Sequence, residues 1–381
     1  MKSANIVDNP GLGTVRGPKS QIPSSETARS ETVMQDRLKQ LLDERPWLLA
    51  DGATGSNLFD RGLQSGDAPE LWNTDHPDRV ADLHRSFIEA GADIILTNSF
   101  GGTRHRLKLH KAEHRVGELN ERAAAIARGE AARSGRVVLV GGSMGPTGEI
   151  LEPLGPLDAD TARESFAEQA AALASGGADV LWIETMSSVE ETEAAIAGAR
   201  TVGLPVVATL SFDTNGRTMM GVAPVDLAGL QRKHHLAGCG SNCGTGPSEL
   251  VASIVNLAAA AESSAILVAK ANCGIPQFVD GAIRFNGTPE LMSEYACLSY
   301  DAGARIIGGC CGTTPAHLKV MRQALERHAR GPRPDLAIIE SKLGPISTGA
   351  MAQLSGNMDR LAGAAPGAAV RRSTSRRGAR S

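Results

Sequence analysis

The chain has 381 residues, a net charge of −3 and an apolar share of 41 %, with aromatics at only 3 %. That balance leaves no electrostatic footprint for nucleic acid. No run of eighteen apolar residues exists to span a membrane, and no secretory h-region opens the chain. The core must be aliphatic, and six cysteines in so long a chain are expected as reduced thiols in the cytoplasm, not as a disulfide framework.

Residues 1–30 are rich in Ser, Pro, Gly and charge and are expected to form a disordered tail. A helical pattern over 30–45 (Val33, Leu38, Leu41, Leu42), ended by Pro46, should pack against one end of the domain. Short apolar runs then recur at 48–52, 93–100, 137–145, 179–185, 205–212, 237–243, 266–274 and 305–312. Amphipathic, Ala-rich stretches suited to helices separate them, at 79–90, 116–134, 159–175, 189–202, 249–262 and 289–301. Strands that are almost wholly apolar belong to a parallel sheet covered on both faces. Eight strand–helix units within 31–330 therefore predict an α/β fold, a single (β/α)8 TIM barrel. The phrases Ala90-Gly91-Ala92-Asp93, Gly176-Gly177-Ala178-Asp179 and Ala302-Gly303-Ala304-Arg305 read as helix C-caps leading into strands. A doubly wound open sheet would want a phosphate loop, and Asp51-Gly52-Ala53-Thr54-Gly55 lacks the third glycine and a Walker lysine. Beyond 330 the pattern stops, so 331–381, with its basic run at 371–377, is expected to be mostly disordered.

In such a barrel the reactive groups gather at the C-terminal ends of the strands. Those ends hold Asp51, Thr97-Asn98-Ser99, Ser143, Glu184, Asp213, Asn242-Cys243, Asn272-Cys273 and Cys310-Cys311. Adjacent cysteines do not readily close a disulfide on each other. With glycines on both sides, and Thr314 and Pro315 suited to start a helix, Cys310 and Cys311 can instead face one point, as ligands of a soft metal. The third thiolate comes from Cys243, from Cys273, or from both. Three leave an open position, as in a catalytic zinc site, whereas four would close it. Cys239 and Cys297 read as small buried hydrophobes, and none of the histidines has metal spacing with the cysteines.

Several of these stretches together resemble the homocysteine-binding methyltransferase family. They are Asp51-Gly52-Ala53-Thr54-Gly55, Thr97-Asn98-Ser99-Phe100, Glu184-Thr185, Asn242-Cys243 and Gly308-Gly309-Cys310-Cys311-Gly312, and the likeness spans residues 46–328. That family includes betaine–homocysteine methyltransferases, S-methylmethionine-dependent enzymes and the homocysteine modules of cobalamin-dependent methionine synthases. The resemblance implies one Zn²⁺ on Cys243, Cys310 and Cys311, without Cys273, and homocysteine thiolate as the acceptor of an activated methyl group, giving methionine. It also implies that Asp51 and Glu184 lie near the substrate ammonium and that backbone N–H groups near Gly52 and Ser143 hold its carboxylate, with Thr97 in the same pocket.

For the methyl donor, Trp72 in the loop after the first strand resembles a tryptophan of the betaine-using members. It would hold betaine or a related onium by cation–π attraction. Two features depart from those members: Gly101-Gly102 follows Phe100 where they carry a tyrosine, and their long folded C-terminal extension has no counterpart. The Thr97–Phe100 run is closer to the cobalamin-linked modules, so a homocysteine module that takes its methyl from a separate corrinoid protein is the alternative. A barrel that holds zinc and a thiol without turnover is the reading from another class.

Overall fold

Uniformly apolar strands need cover on both faces, and the computed structural model, which describes residues 37–279 and 282–356, has that arrangement. The strands are Leu48–Leu49 (β1), Ile94–Leu96 (β2), Leu139–Met144 (β3), Val180–Met186 (β4), Val206–Leu210 (β5), Gly238–Cys243 (β6), Leu267–Ala271 (β7), Pro276–Val279 (β8), Ala282–Phe285 (β9) and Ala304–Gly309 (β10). Eight of them form one parallel sheet in the order β2-β3-β4-β5-β6-β7-β10-β1. A parallel bridge between Ala50 and Ile94 joins its two ends. There the Asp51 N–H donates to Ile94 O at 3.0 Å and the Asp93 N–H to Leu49 O at 2.6 Å. The fold is the expected TIM barrel. The hairpin β8–β9, which the apolar pattern did not show, is antiparallel and sits in the connection after β7.

The interior and the outside of the barrel are two separate apolar layers. Inward residues such as Ile94, Val180, Trp182, Val207, Val268 and Ile306 form one cluster with Leu38, Leu41 and Leu42. Those three leucines form the apolar face of the helix Arg37–Glu44, which thus stoppers the N-terminal end of the barrel. The outer layer lies between strands and helices and carries the larger share of the core.

The repeated Gly-Ala-Asp phrase has a second use beyond its left-handed glycines, Gly91 (φ 107°) and Gly177 (φ 98°). Asp93 accepts the Leu49 N–H at 3.0 Å and pairs with Arg45 at 2.8 Å and Arg322 at 2.9 Å. Asp179 likewise accepts the Val140 N–H at 2.8 Å and pairs with Arg37 at 2.9 Å. Each buried carboxylate ties its strand to a neighbour while arginines from outside neutralise it.

The mostly disordered stretch expected after residue 330 needs correction over 336–354. Helices Leu336–Leu343 and Thr348–Leu354 form there and pack on the helix Pro247–Ala260. Only a few apolar side chains do the work, with Ile339, Leu343, Ile346 and Ala350 all buried. Side-chain caps start both helices, Asp335 accepting from the Ile338 N–H at 2.9 Å and Ser347 from the Ala350 N–H at 3.3 Å. The expectations for 1–30 and for the basic run at 371–377 concern residues outside those described. Among the described residues no helix is long and apolar enough to cross a membrane.

Candidate active site at the mouth of the barrel

Cys243 ends β6, and Cys310 and Cys311 follow β10 in the turn before the helix Pro315–Arg327. Their three sulfurs lie within 4.8 Å of one another. The turn is tight because its glycines have no side chain. A Cβ on Gly309 would meet the Thr313 side chain at 2.3 Å, and Gly312 has φ 78°. Thr314 caps the helix as expected, with its Oγ1 2.8 Å from His317 Nδ1. Cys243 itself adopts φ 63°, a left-handed conformation that a non-glycine residue holds only when its surroundings enforce it.

Two asparagines supply that enforcement. Asn242 accepts from Thr209 Oγ1 and from the Thr185 N–H, both at 2.8 Å. Asn272 accepts the Cys311 N–H at 3.1 Å and donates to Gly244 O at 2.6 Å, bridging the two cysteine-bearing segments. The Cys310 N–H donates to Ala271 O at 2.6 Å, so β7 lies between the ligand segments and spaces them. Within the cluster, hydrogen bonds from Cys310 and then Cys311 hold the Cys243 thiol well below the usual range, while its two neighbours are raised. Three soft donors converging from one side, beside a cavity on the other, fit a tetrahedral metal with a position left for a substrate.

Cys273 stands apart. It is buried, its thiol is directed at Gly287 O at 3.5 Å, and burial pushes it up to about 11. Burial likewise pushes Cys239 up to about 12, so neither is a ready thiolate.

The cavity beside the sulfurs measures about 370 Å³, and Gly52, Thr97, Ser143, Glu184 and Lys270 all contribute to its wall. Ser143 Oγ donates to Glu184 Oε1, and burial pushes the Glu184 carboxyl up to about 7. The Ser143 N–H is already spent on Thr97 Oγ1 at 2.9 Å. Asp51 is buried just behind this wall, with Oδ1 2.6 Å from Lys270 Nζ and Oδ2 accepting the Leu96 N–H at 2.7 Å. Both its oxygens are therefore engaged by the protein.

Trp72 is not on the cavity. It is buried in the outer core, with His76 edge-on at 4.8 Å between ring centroids and the Arg79 guanidinium 5.0 Å from the ring centroid. The placement of Trp72 as a donor-binding residue is corrected accordingly. A short helical segment, Trp72–Asp75, turns the ring inward, where a large apolar surface is better covered than exposed. Sequence reasoning also missed two wall residues. Lys270 was legible as a lysine inside the apolar strand Leu267–Ala271. Glu70, whose Oε1 accepts the Gly101 N–H at 2.6 Å, is one of several charged residues in its connection and carried no signal of its own.

Comparison with known proteins bears on the same region. Residues 48–325 match the family described as homocysteine S-methyltransferase. Methionine synthase of Mycobacterium tuberculosis is 30% identical over 334 residues, covering 81% of this chain and 27% of the relative. The Mycobacterium leprae methionine synthase is 29% identical over 325 residues, covering 79% and 26%. The chain thus spans about a quarter of the length of these relatives. Among solved structures, the metallated homocysteine methyltransferase MmuM of Escherichia coli superposes with a TM-score of 0.63 at 24% identity, over 75% of this chain and 99% of that one. Its oxidized form gives 0.62 at 25%, over 75% and 98%. With the match running through nearly the whole barrel, from β1 to the helix after the paired cysteines, the chain belongs to the homocysteine S-methyltransferase family.

Proposed function

We propose that the protein is a zinc-dependent homocysteine S-methyltransferase that forms methionine, with zinc on Cys243, Cys310 and Cys311. The observation that carries this reading is the convergence of the three sulfurs on a cavity whose wall also holds groups suited to an amino acid. Zinc held there would supply a Lewis acid that brings a neighbouring thiol below its ordinary pKa of about 8.5. The chain's own side chains do the rest. Glu184, steadied by Ser143, offers its second oxygen to the substrate ammonium on the wall of the same cavity as the sulfurs. Such working thiols belong in a reducing compartment such as the cytoplasm.

For the donor, betaine or a related onium suits the Glu70 carboxylate and the Phe100 ring, which line the same cavity and attract a cation. Trp72 no longer supports that choice. A second reading, methyl transfer from a corrinoid protein, is favoured by the rim. Leu109, Ile150, Leu154, Met219, Met220 and Ile275 are exposed large apolar side chains, all on connections that follow strands at the mouth. The methionine synthase relatives, of which this chain covers 27% and 26%, agree with a partner module.

The test is methionine formation by zinc-loaded protein from homocysteine and a donor panel of betaine, dimethylsulfoniopropionate, S-methylmethionine and a methylcorrinoid protein. Turnover with an onium supports the first reading, and turnover with the corrinoid alone supports the second. Zinc and thiol binding with no methionine from any donor would leave a non-catalytic barrel. Cys310→Ala should abolish stoichiometric zinc.

A further inference from the structure

Side chains alternate along a strand, so Lys270, two residues beyond the inward Val268, also points into the barrel. It stands opposite Asn242 on β6 and Gly308 on β10, and its side chain is 2% exposed. Its Nζ donates to Asp51 Oδ1 at 2.6 Å and to Asp51 O at 3.3 Å. An ammonium has three N–H donors. The third has no hydrogen-bond partner among the described residues: the Trp182 ring centroid lies 5.8 Å from Nζ, and Lys270 forms part of the cavity wall. The Gly52 N–H, on the same wall, is also unpaired among the described residues, whereas the N–H of Ser143 is engaged by Thr97. A buried donor left unpaired costs about 1–3 kcal/mol, more when charged, and is retained where something pairs it during function.

We propose that Lys270 receives a substrate carboxylate, beside the Gly52 N–H that the family resemblance already implies for that group. Asp51 is then the positioning residue that fixes the lysine, through the 2.6 Å contact of its Oδ1 with Nζ. With the ammonium at Glu184, the site carries complementary charges for a zwitterionic amino acid. The identity of that amino acid rests on the methyltransferase reading. A carboxylate on the methyl donor offers the same chemistry, and the experiment separates the two sources.

The acceptor arm measures, by calorimetry on zinc-loaded protein, the binding of homocysteine and of 3-aminopropane-1-thiol, which lacks only the carboxylate. The donor arm compares rates with betaine and with choline. Wild type is expected to prefer the carboxylate-bearing ligand by about 10–100-fold in one arm, as a charged hydrogen bond allows. Lys270→Met should reduce that preference below about threefold, and Lys270→Arg should restore part of it. Because a lone Asp51 could unfold the single variant, Asp51→Asn/Lys270→Met is measured beside it. Loss of preference in the acceptor arm assigns the carboxylate to the amino acid, and loss in the donor arm assigns it to the donor. Full preference retained without the lysine, or no carboxylate preference in wild type in either arm, overturns the proposal. Carboxylate-selective binding without methionine formation would instead defeat the functional reading while the lysine's role stands.

Discussion

Asn242 and Thr185 exchange two hydrogen bonds across the mouth of the barrel, Thr185 N–H to Asn242 Oδ1 at 2.8 Å and Asn242 Nδ2 to Thr185 Oγ1 at 2.7 Å. β5 lies between their strands, so the pair clamps three strand ends and holds the left-handed Thr185 (φ 61°) opposite the left-handed Cys243 (φ 63°). Asn242→Ala should let the Cys243 sulfur drift from the other two. Groups that orient a metal ligand from behind are typically worth 10–100-fold in affinity. Chelator competition with zinc should show a loss of about that size, and an unchanged affinity would move the control of Cys243 to Asn272.

Glu184 gives two pH effects of opposite sign. Its pKa is raised, chiefly by burial, from an ordinary 4.5 to about 7. Binding an ammonium needs the ionised form, so homocysteine should bind about tenfold more weakly at pH 6 than at pH 8. Folding follows the other direction. A raised folded-state pKa contributes stability that is fully present below 4.5 and lost as pH rises through about 7. Glu184→Gln should flatten both dependences. Calorimetric titrations at pH 6 and 8 and urea melts at pH 5 and 8, each read as wild type minus variant, check the signs.

Trp72 should behave as a core residue. Trp72→Ala is expected to cost about 3–5 kcal/mol in urea unfolding, as for other buried aromatics, with KM for the methyl donor unchanged in the folded fraction. A tenfold rise in donor KM with little loss of stability would return the indole to the donor site.

The C-terminal helices should prove integral to the barrel. Ile339 is fully buried in the outer core, so Ile339→Ala should cost about 2–5 kcal/mol. Denaturant unfolding measures it directly, and a loss under about 0.5 kcal/mol, the range for surface substitutions, would mean that the segment does not pack on the barrel in solution.

The barrel and the cysteines of its rim were legible without coordinates because both are carried by short-range pattern. Each strand is its own apolar run, each turn has its glycine, and barrel topology sends every strand end to the same rim. Cys243, Cys273, Cys310 and Cys311 all inherit their neighbourhood from that rule, and the choice of Cys243 over Cys273 came from the family resemblance. Lys270 and Asp51 do not, since they are 219 residues apart and meet only through the register of β7, β10 and β1. The helices at 336–354 escaped notice because a few buried side chains and two caps suffice where a partner surface already exists.

Local composition and periodicity determined the architecture and the rim, since covering apolar strands and ending helices are problems solved within a few residues. Only the folded chain decided which charges face one another and which way an aromatic ring turns. Those outcomes depend on burial and on partners supplied by distant strands, and no window of sequence contains both sides of such a contact.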